Sequence, residues 1–244
     1  MQQLSSDYSD IYDELLDAVG TSSRVTPNIL TAFWPMRGHR FDGDLFVIGR
    51  VTNGWYEPWR KEEFTESTRR LAILKRTRKI SESIHRCPLL WVIDRAGDPE
   101  YNSNDSAFWR VIKRVSLEGI RDWKRVETWP SWICWSNLLK VGPDSMQIRP
   151  SAALKRAQQI HGTRLIEHEL SEFNPRRVLV LSGRDWFEPF AEGLGLQVKW
   201  RSGLVEGIAT CNGRRWVIAK HPMKKPEDSF VDEVIDGFAG RLRM

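Results

Sequence analysis

Short, solidly apolar runs recur along this chain and alternate with longer segments of helical periodicity. A run of four to six apolar residues closed by glycine or a polar residue is typical of a strand buried on both faces of a sheet. Apolar residues spaced three and four positions apart predict amphipathic helices. We predict strands at 44–49, 89–93, 131–135, 178–181, 197–202 and 214–219, and helices at 6–20, 62–78, 104–119, 152–172, 185–191 and 228–241.

Residues with special backbone preferences locate the ends of several of these elements. Asp105 or Ser106 is a suitable N-cap for the helix at 104–119, and Asp185 is the expected N-cap of the short helix that follows it. Asn212-Gly213 is a hairpin-type signal between the last two predicted strands.

Strands that alternate with helices favour a mostly parallel sheet with helices on both of its faces. The predicted fold class is therefore α/β, and the expected architecture is a three-layer α/β/α sandwich. No internal repeat, low-complexity tract or linker rich in Pro, Gly and Ser divides the sequence. We expect residues 1–244 to form a single domain that begins with a short acidic helix, at about residues 6–20.

Composition narrows the class of protein. Hydrophobic residues make up 41% of the chain and charged residues 28%, as in ordinary globular proteins. No apolar run approaches the roughly 20 residues that a membrane span needs, and the first residues lack the basic and apolar regions of a signal peptide. We therefore expect a cytoplasmic protein without membrane contact, and no obligatory protein partner is evident.

The three cysteines do not indicate a disulfide framework, a zinc site or an iron–sulfur cluster. Cys87, Cys134 and Cys211 lie far apart, and none belongs to a C-x-x-C pair. We expect neither a metal nor another cofactor. Lys140 and Lys220, near strand ends, are assigned to phosphate contacts or to packing of their stems.

Charge is unevenly distributed along the chain, whose net charge is +5. Residues 7–17 carry five acidic side chains and no basic one, whereas residues 60–86 carry nine Lys or Arg against four Glu. A second basic cluster lies between residues 110 and 125. Concentrated positive charge suits a surface that binds a polyanion such as DNA, and it also occurs on solvated helix faces.

Polar residues follow several predicted strands at the point where each strand ends. Asp94, Asn137, Ser182-Gly183 and His221-Pro222 each come at or directly after an apolar run, and Asn53 follows the run at 44–49. Because the carboxyl ends of parallel strands meet at one edge of a sheet, we expect Asn53, Asn137 and His221 to line one cleft. The simpler interpretation is that polar residues and glycines end strands in any protein.

The order of these motifs resembles that of the uracil-DNA glycosylase superfamily, over residues 44 to 240. The motifs that carry the resemblance are Val47-Ile48-Gly49 with Asn53-Gly54, Trp135-Ser136-Asn137-Leu138-Leu139-Lys140, Pro175 to Gly183, and Lys220-His221-Pro222. The chain departs from the family at Val51, which stands where an Asp or Asn is common, so Asn53 is the nearest candidate for that role. No proline follows Asn53, and the four cysteines of iron–sulfur members are lacking.

The resemblance implies a monofunctional DNA glycosylase that hydrolyses the N-glycosidic bond of a flipped-out pyrimidine and leaves an abasic site. Asn53 would position water, with Asp94 as the alternative group, and His221 would stabilise the anion of the departing base. Asn137 would read the edge of the base, on which Trp55 or Phe46 would stack. The remaining candidates are Gly49, Arg50, Gly54 and Gly183 for the substrate, and Met223 (as an apolar wedge), Lys224, Lys225 and Arg184 for DNA.

The excised base and the reaction class stay open at this stage. Gly54 leaves room where members strict for uracil place a tyrosine, so thymine-like bases or bulky modified cytosines of phage DNA are candidate substrates beside uracil. The role would then be DNA repair or antiphage defence. Two other functions fit the pattern: a non-catalytic nucleic-acid-binding module on the same fold, and an α/β enzyme that processes nucleosides or nucleotides. The sequence contains neither G-x-G-x-x-G nor a Walker motif.

Overall fold

Residues 6–52, 54–82, 86–119, 121–145 and 147–242 are described by the computed structural model. The chain divides into two units, each assembled from three separate segments. The first unit takes Met1–Pro35, Arg50–Glu82 and Asn137–Glu172; the second takes Met36–Gly49, Ser83–Ser136 and Phe173–Met244. The segments of the two units interleave along the chain. The expectation of a single domain over residues 1–244 stays a prediction.

The helices and strands follow one another in this order: α1 (Ser6–Thr21), β1 (Ile29–Ala32), β2 (Met36–Arg37), β3 (Leu45–Gly49), β4 (Pro58–Arg60), α2 (Ser67–Ser81), α3 (Trp91–Asp94), α4 (Ala107–Ser116), α5 (Trp123–Glu127), β5 (Ile133–Asn137), β6 (Val141–Pro143), α6 (Ala152–Phe173), β7 (Arg177–Val180), α7 (Arg184–Gly193), β8 (Lys199–Trp200), β9 (Val205–Cys211), β10 (Arg214–Ala219) and α8 (Glu227–Ala239). Short 3₁₀ turns lie at Lys61–Thr65, Pro88–Leu90 and Trp129–Trp132. Across the described ranges, no helix is both long and apolar enough to cross a membrane.

A seven-stranded mixed sheet organises the second unit, with the strand order β2-β5-β3-β7-β10-β9-β8. Its centre is parallel, because β7 pairs in parallel with β3 on one side and with β10 on the other. The outer strands β9 and β8 are antiparallel, as is the pair of β2 with β5. The predicted α/β class is confirmed, and every residue of β3 is buried, as the solid apolar run indicates.

The predicted helices and central strands have observed counterparts, some with shifted bounds. The strand predicted at 131–135 is β5, at Ile133–Asn137, because Trp129–Trp132 forms a 3₁₀ turn. The apolar runs at 44–49 and 178–181 form β3 and β7, and the segment 152–172 forms α6.

Some helix starts differ from the prediction. The helix predicted from residue 62 begins at Ser67, after a 3₁₀ turn at Lys61–Thr65. Asp185 lies in the first turn of α7, and the N-cap position belongs to Gly183.

The apolar run at 89–93 is not a strand. Pro88–Leu90 forms a 3₁₀ turn and Trp91–Asp94 a short helix. Leu89 and Val92, three positions apart, are the buried residues, whereas Ile93 is exposed. An apolar run of five residues fits either structure, and here a proline at the first position of the turn favours the helical one.

The hairpin at Asn212-Gly213 forms with a different partner strand from the one predicted. Both turn residues have positive φ (50° and 73°), and they join β10 to β9, which covers Val205–Cys211. The segment predicted as the partner, 197–202, contributes only the two residues of β8 at the edge of the sheet.

The first unit holds a small antiparallel sheet that the sequence did not predict. Its order is β4-β1-β6. All three strands are short, and β4 and β6 contain Pro or Gly, so they give no clear apolar pattern. Helix α1 buries a stripe of residues at helical spacing against this unit's core: Tyr8, Tyr12, Leu15, Leu16 and Val19. The ring of Trp34 contacts both tyrosines, at centroid distances of 4.8 and 5.4 Å.

These two tyrosines predict a loss of stability at alkaline pH. Burial raises the pKa of Tyr8 and of Tyr12 well above the usual value of 10.0. The folded state therefore keeps both protons while the unfolded chain loses them. The resulting stabilisation is complete below about pH 10, and it falls by about 1.4 kcal/mol per pH unit for each tyrosine as the pH rises further.

Urea unfolding followed above about pH 10.5 measures this slope. Burial lowers the pKa of Lys140. Its effect on the free energy of unfolding therefore has the opposite sign to that of the tyrosines, because stability rises with pH, and this effect ends near the ordinary pKa of lysine. Tyr8→Phe and Tyr12→Phe should each reduce the slope of unfolding free energy against pH by about 1.4 kcal/mol per pH unit, and the double variant should reduce it by both contributions. An unchanged slope in the double variant would contradict the assignment.

Candidate functional site

The carboxyl ends of three parallel strands form one edge of the sheet in the second unit. β3 ends at Gly49, β7 at Val180 and β10 at Ala219. Two hydrogen bonds hold the chain together just beyond these ends: Leu181 N donates to Ile48 O at 2.9 Å, and Gly183 N donates to Ala219 O at 2.8 Å. Predicted site residues Gly49, Gly183 and His221 are therefore brought to this edge, as expected for strands that run in parallel.

His221 lies two residues beyond β10, and its imidazole is partly exposed. The main-chain N–H of Met223 donates to Nδ1 of the ring at 3.3 Å. A nitrogen that accepts a hydrogen bond carries no proton, so the neutral ring must carry its proton on Nε2. Nε2 is consequently a hydrogen-bond donor.

Phe108 of α4 is an aromatic neighbour of the His221 ring. The two rings are nearly parallel, at 20° and a centroid distance of 6.3 Å. Phe108 also contacts Trp109 at 5.1 Å and Trp135 at 6.4 Å, and these two indoles meet edge to face at 4.9 Å. The imidazole therefore lies against a packed aromatic cluster, whose further members are Trp91, Tyr101 and Trp129.

The start of α7 is already bonded to a carboxylate of the protein. Gly183 has φ 82° and ψ 161°, a conformation that essentially only glycine adopts. The next amide, Arg184 N, donates to Glu206 Oε2 at 2.7 Å. The Arg184 guanidinium bonds Glu188 Oε1 at 2.8 Å and lies 4.9 Å from the centre of the Trp200 ring. Any contact of Arg184 with DNA would compete with these interactions.

The turn after His221 exposes three of the predicted DNA-binding side chains. Met223 is 62% exposed, and Lys224 and Lys225 lie in the exposed class. Lys225 N donates to Pro222 O at 3.0 Å, and Lys224 has a positive φ of 60°. This tight turn presents an apolar side chain and two cations beside the imidazole.

The first unit contains a second group of predicted site residues. Leu139 N donates to Arg50 O at 3.0 Å, which joins the segment after β5 to the residue that follows β3. Gly54 has a φ of 63°, and its N–H donates to Pro143 O at 2.9 Å. The ring of Trp55 packs edge to face on Phe33 and on the exposed Tyr56, at 5.8 and 4.7 Å.

Asn137, the last residue of β5, is only 2% exposed. Within the part of the chain that the structure describes, its Nδ2 has no hydrogen-bond partner. Buried polar atoms are nearly always paired, so an unpaired amide at a strand end is a candidate contact for a ligand.

Two other predicted site residues, Phe46 and Asp94, do not belong to either group. Phe46 is fully buried and packs against Phe173 at 5.5 Å, so it belongs to the core and is not available to stack on a base. Asp94 ends α3 on the surface and pairs with Arg86 at 2.6 Å, because the expected strand before it is a helix. Asn53 lies outside the described residues.

Much of the clustered positive charge is paired within the units. In the first unit, Arg70 of α2 bonds Asp13 and Asp17 of α1, both at 2.8 Å. In the second unit, Arg110 pairs with Glu227 at 2.6 Å and Arg114 with Asp228 at 2.7 Å. The acidic and basic segments of the sequence thus partly neutralise each other.

Sequence reasoning missed Phe108 and Glu206 as neighbours of the predicted site. In the sequence, Phe108 looks like an ordinary member of the apolar face of α4, and Glu206 is one charged residue between two predicted strands. No spacing signal connects either of them to His221 or Gly183, because their contacts depend on tertiary packing.

Among the described residues, no group of three or more His, Cys, Asp or Glu side chains could hold a metal ion. Neither a scan against protein-family models nor a search of curated proteins finds a match for this chain.

The contact between Met223 N and His221 predicts which tautomer the imidazole adopts. At mildly alkaline pH, where an ordinary histidine is neutral, ¹⁵N NMR should show the His221 proton on Nε2. Met223→Ala should keep this tautomer, because the donor is the main chain. Absence of the signal in His221→Ala assigns it, and a proton found on Nδ1 would contradict the geometry.

Proposed function

We propose that this chain is a divergent member of the uracil-DNA glycosylase superfamily. It hydrolyses the N-glycosidic bond of a flipped-out uracil-like or 5-modified pyrimidine in DNA and leaves an abasic site. One observation carries the proposal: His221 follows β10 at the edge where three parallel strands end, and Met223 N donates to its Nδ1, so that the neutral ring carries its proton on Nε2.

Hydrolysis of an N-glycosidic bond is helped by a hydrogen-bond donor placed near the departing base. When the bond between the sugar C1′ and the base breaks, the base keeps the electron pair, and positive charge develops on the sugar. Nε2–H of His221 donates to the O2 atom of the leaving base, where the negative charge collects. Water adds to C1′ and loses its proton to solvent. The hydrogen bond from Met223 N and the nearly parallel ring of Phe108 support a donor that is oriented before the reaction.

Asn137 is the base-reading residue in this proposal. A carboxamide offers both a donor and an acceptor, which is what the Watson–Crick edge of an extruded pyrimidine requires. Support comes from the buried Nδ2 atom, which has no partner among the described side and main chains. Asn53 would hold the attacking water, a role that rests on the resemblance alone.

DNA would be held by the turn after β10. Met223 enters the space that the flipped base leaves, and Lys224 and Lys225 contact the flanking phosphates. Their exposure next to His221 supports these roles. The protein would act in the cytoplasm, in DNA repair or in defence against phage DNA.

The size of the base stays broad in this proposal, from uracil to bulky modified cytosines. This breadth rests on the resemblance, in which members strict for uracil have a tyrosine at the position of Gly54; the φ of 63° is a second, conformational reason for a glycine there.

We also propose that the fold is a three-layer α/β/α sandwich. Neighbouring residues of a strand point to opposite faces of a sheet. In β10 the Trp216 ring lies 5.9 Å from Phe187 of α7, whereas Val217 packs against Gly237 of α8. These contacts support one helix on each face of the sheet.

Excision is tested with oligonucleotides, single-stranded and duplex, that carry uracil, thymine or 5-substituted pyrimidines. At least one base should be released, and strands should break only after alkali. Activity should survive a chelator, and borohydride should not trap the protein on DNA. His221→Ala should slow excision about 10²- to 10³-fold, as the loss of one charge-stabilising donor does. His39→Ala, at an exposed histidine of the same unit, is the matched control.

Other outcomes would overturn parts of this proposal. Binding of DNA without release of any base would favour a nucleic-acid-binding module. Cleavage of free nucleosides but not of DNA would favour a nucleoside-processing enzyme. Trapping by borohydride, or activity that needs added metal, would show that the mechanism is wrong.

The phosphate contacts predict the salt dependence of DNA binding. Lys224→Glu with Lys225→Glu should weaken binding and lower the slope of log affinity against log salt by up to about 1.8, since each phosphate contact contributes roughly 0.9. Lys113→Glu with Lys199→Glu makes the same change in charge at two other exposed lysines of the unit. Equal effects of the two pairs would reject a local role for the turn.

A further inference from the structure

A lysine is fully buried in the first unit, three residues after the proposed base-reading Asn137. Lys140 and Glu169 are both 0% exposed, and Nζ lies 2.6 Å from Glu169 Oε1. The same Nζ donates to the main-chain oxygen of Asn137 at 2.8 Å. Tyr8 donates its hydroxyl to Glu169 Oε1 at 2.7 Å. Lys140 is therefore not a surface phosphate contact, which corrects one of its two expected roles.

The main chain of this turn is anchored at several further points. Phe33 N donates to Lys140 O at 2.7 Å, and the Tyr12 hydroxyl also donates to that oxygen, at 3.2 Å. Leu139 N donates to Arg50 O. The turn thus has its hydrogen bonds made within the protein, whereas the Nδ2 atom of Asn137 has no partner among the residues described.

Stability alone is a poor reason for this arrangement. Burying two opposite charges costs desolvation that their attraction often does not repay, and apolar replacements of such pairs are frequently neutral or stabilising. The pair is not fully bonded either, since Glu169 Oε2 takes no hydrogen bond from any described residue. Burial lowers the pKa of Lys140, because desolvation disfavours its charged form. What the pair does provide is a fixed distance between α6 and the end of β5.

We infer that Lys140 is a positioning residue for Asn137: held by Glu169 and Tyr8, its ammonium group grips the Asn137 carbonyl and aims the unpaired carboxamide at the substrate. The inference deepens the proposed function and rests on it for the identity of the ligand. The positioning itself can be measured without any activity.

The experiment compares three variants of the full chain. Lys140→Met alone leaves the Glu169 carboxylate buried without its opposite charge, so it should lower the melting temperature severely. Lys140→Met with Glu169→Gln removes both charges, so it should recover much of the fold while it lacks the bond to Asn137. Ile73→Ala removes a buried side chain of α2, and it controls for loss of stability in the same unit.

Two readouts separate positioning from stability. The first is the side-chain amide signal of Asn137 in a ¹⁵N–¹H spectrum, assigned by its absence in Asn137→Ala. It should shift and exchange faster in the double variant and stay unchanged in Ile73→Ala. The second is turnover of an oligonucleotide from which the parent protein releases a base: kcat of the double variant should fall by about 10²-fold, with little change in KM, as for a substrate-positioning group misplaced by about 1 Å.

The outcomes distinguish failure of the inference from failure of the proposed function. An Asn137 signal in the double variant identical to that of the parent overturns the positioning role, whatever the activity. A moved signal supports positioning, and if the parent protein then releases no base from any of the oligonucleotides, the proposed function fails alone. A kcat loss in Ile73→Ala equal to that of the double variant would reduce Lys140 to a structural residue.

Discussion

The parallel register of β3, β7 and β10 is the constraint on which the rest of the second unit depends. Ile48 and Ile218 both lie opposite Val180, so all three strands leave the sheet at the same level. A slip of one residue would turn every buried apolar side chain to the other face, and solidly buried strands therefore hold this register strongly. The segments that carry Gly49, Gly183 and His221 emerge together for that reason.

His221 shows how such an edge turns an ordinary residue into a specific chemical group. An exposed imidazole samples two tautomers and many ring orientations. Here a main-chain N–H from its own turn donates to Nδ1, which places the proton of the neutral ring on Nε2, and the ring of Phe108 lies nearly parallel to the imidazole. Neither contact adds a charge, and this suits a group that must donate a hydrogen bond to a developing anion.

The sequence predicted those parts of the fold in which a local pattern and the tertiary packing agree. Residues 45–48 and 178–181 are apolar and buried, so local preference and burial coincide. The run at 89–93 is equally apolar, yet only two of its residues face the core, three positions apart, and periodicity cannot decide over so short a stretch. The network of Tyr8, Glu169 and Lys140 could not be foreseen, because Tyr8 and Glu169 are 161 positions apart and each looks like a surface residue of a helix or loop.

The distribution of charge along the sequence was a poor guide to the charge of the folded surface. A basic segment beside an acidic one suggested a face for a polyanion, but Arg70 pairs with the acidic residues of α1, and Arg110 and Arg114 pair with α8. With these arginines paired, a local arrangement of exposed lysines is one way to concentrate positive charge near the proposed chemistry. The turn at 221–225 provides one, since the same few residues that leave β10 present the imidazole, the apolar side chain of Met223 and two exposed lysines. Substrate binding and bond cleavage would be coupled there by chain connectivity, with no need for a wider basic surface.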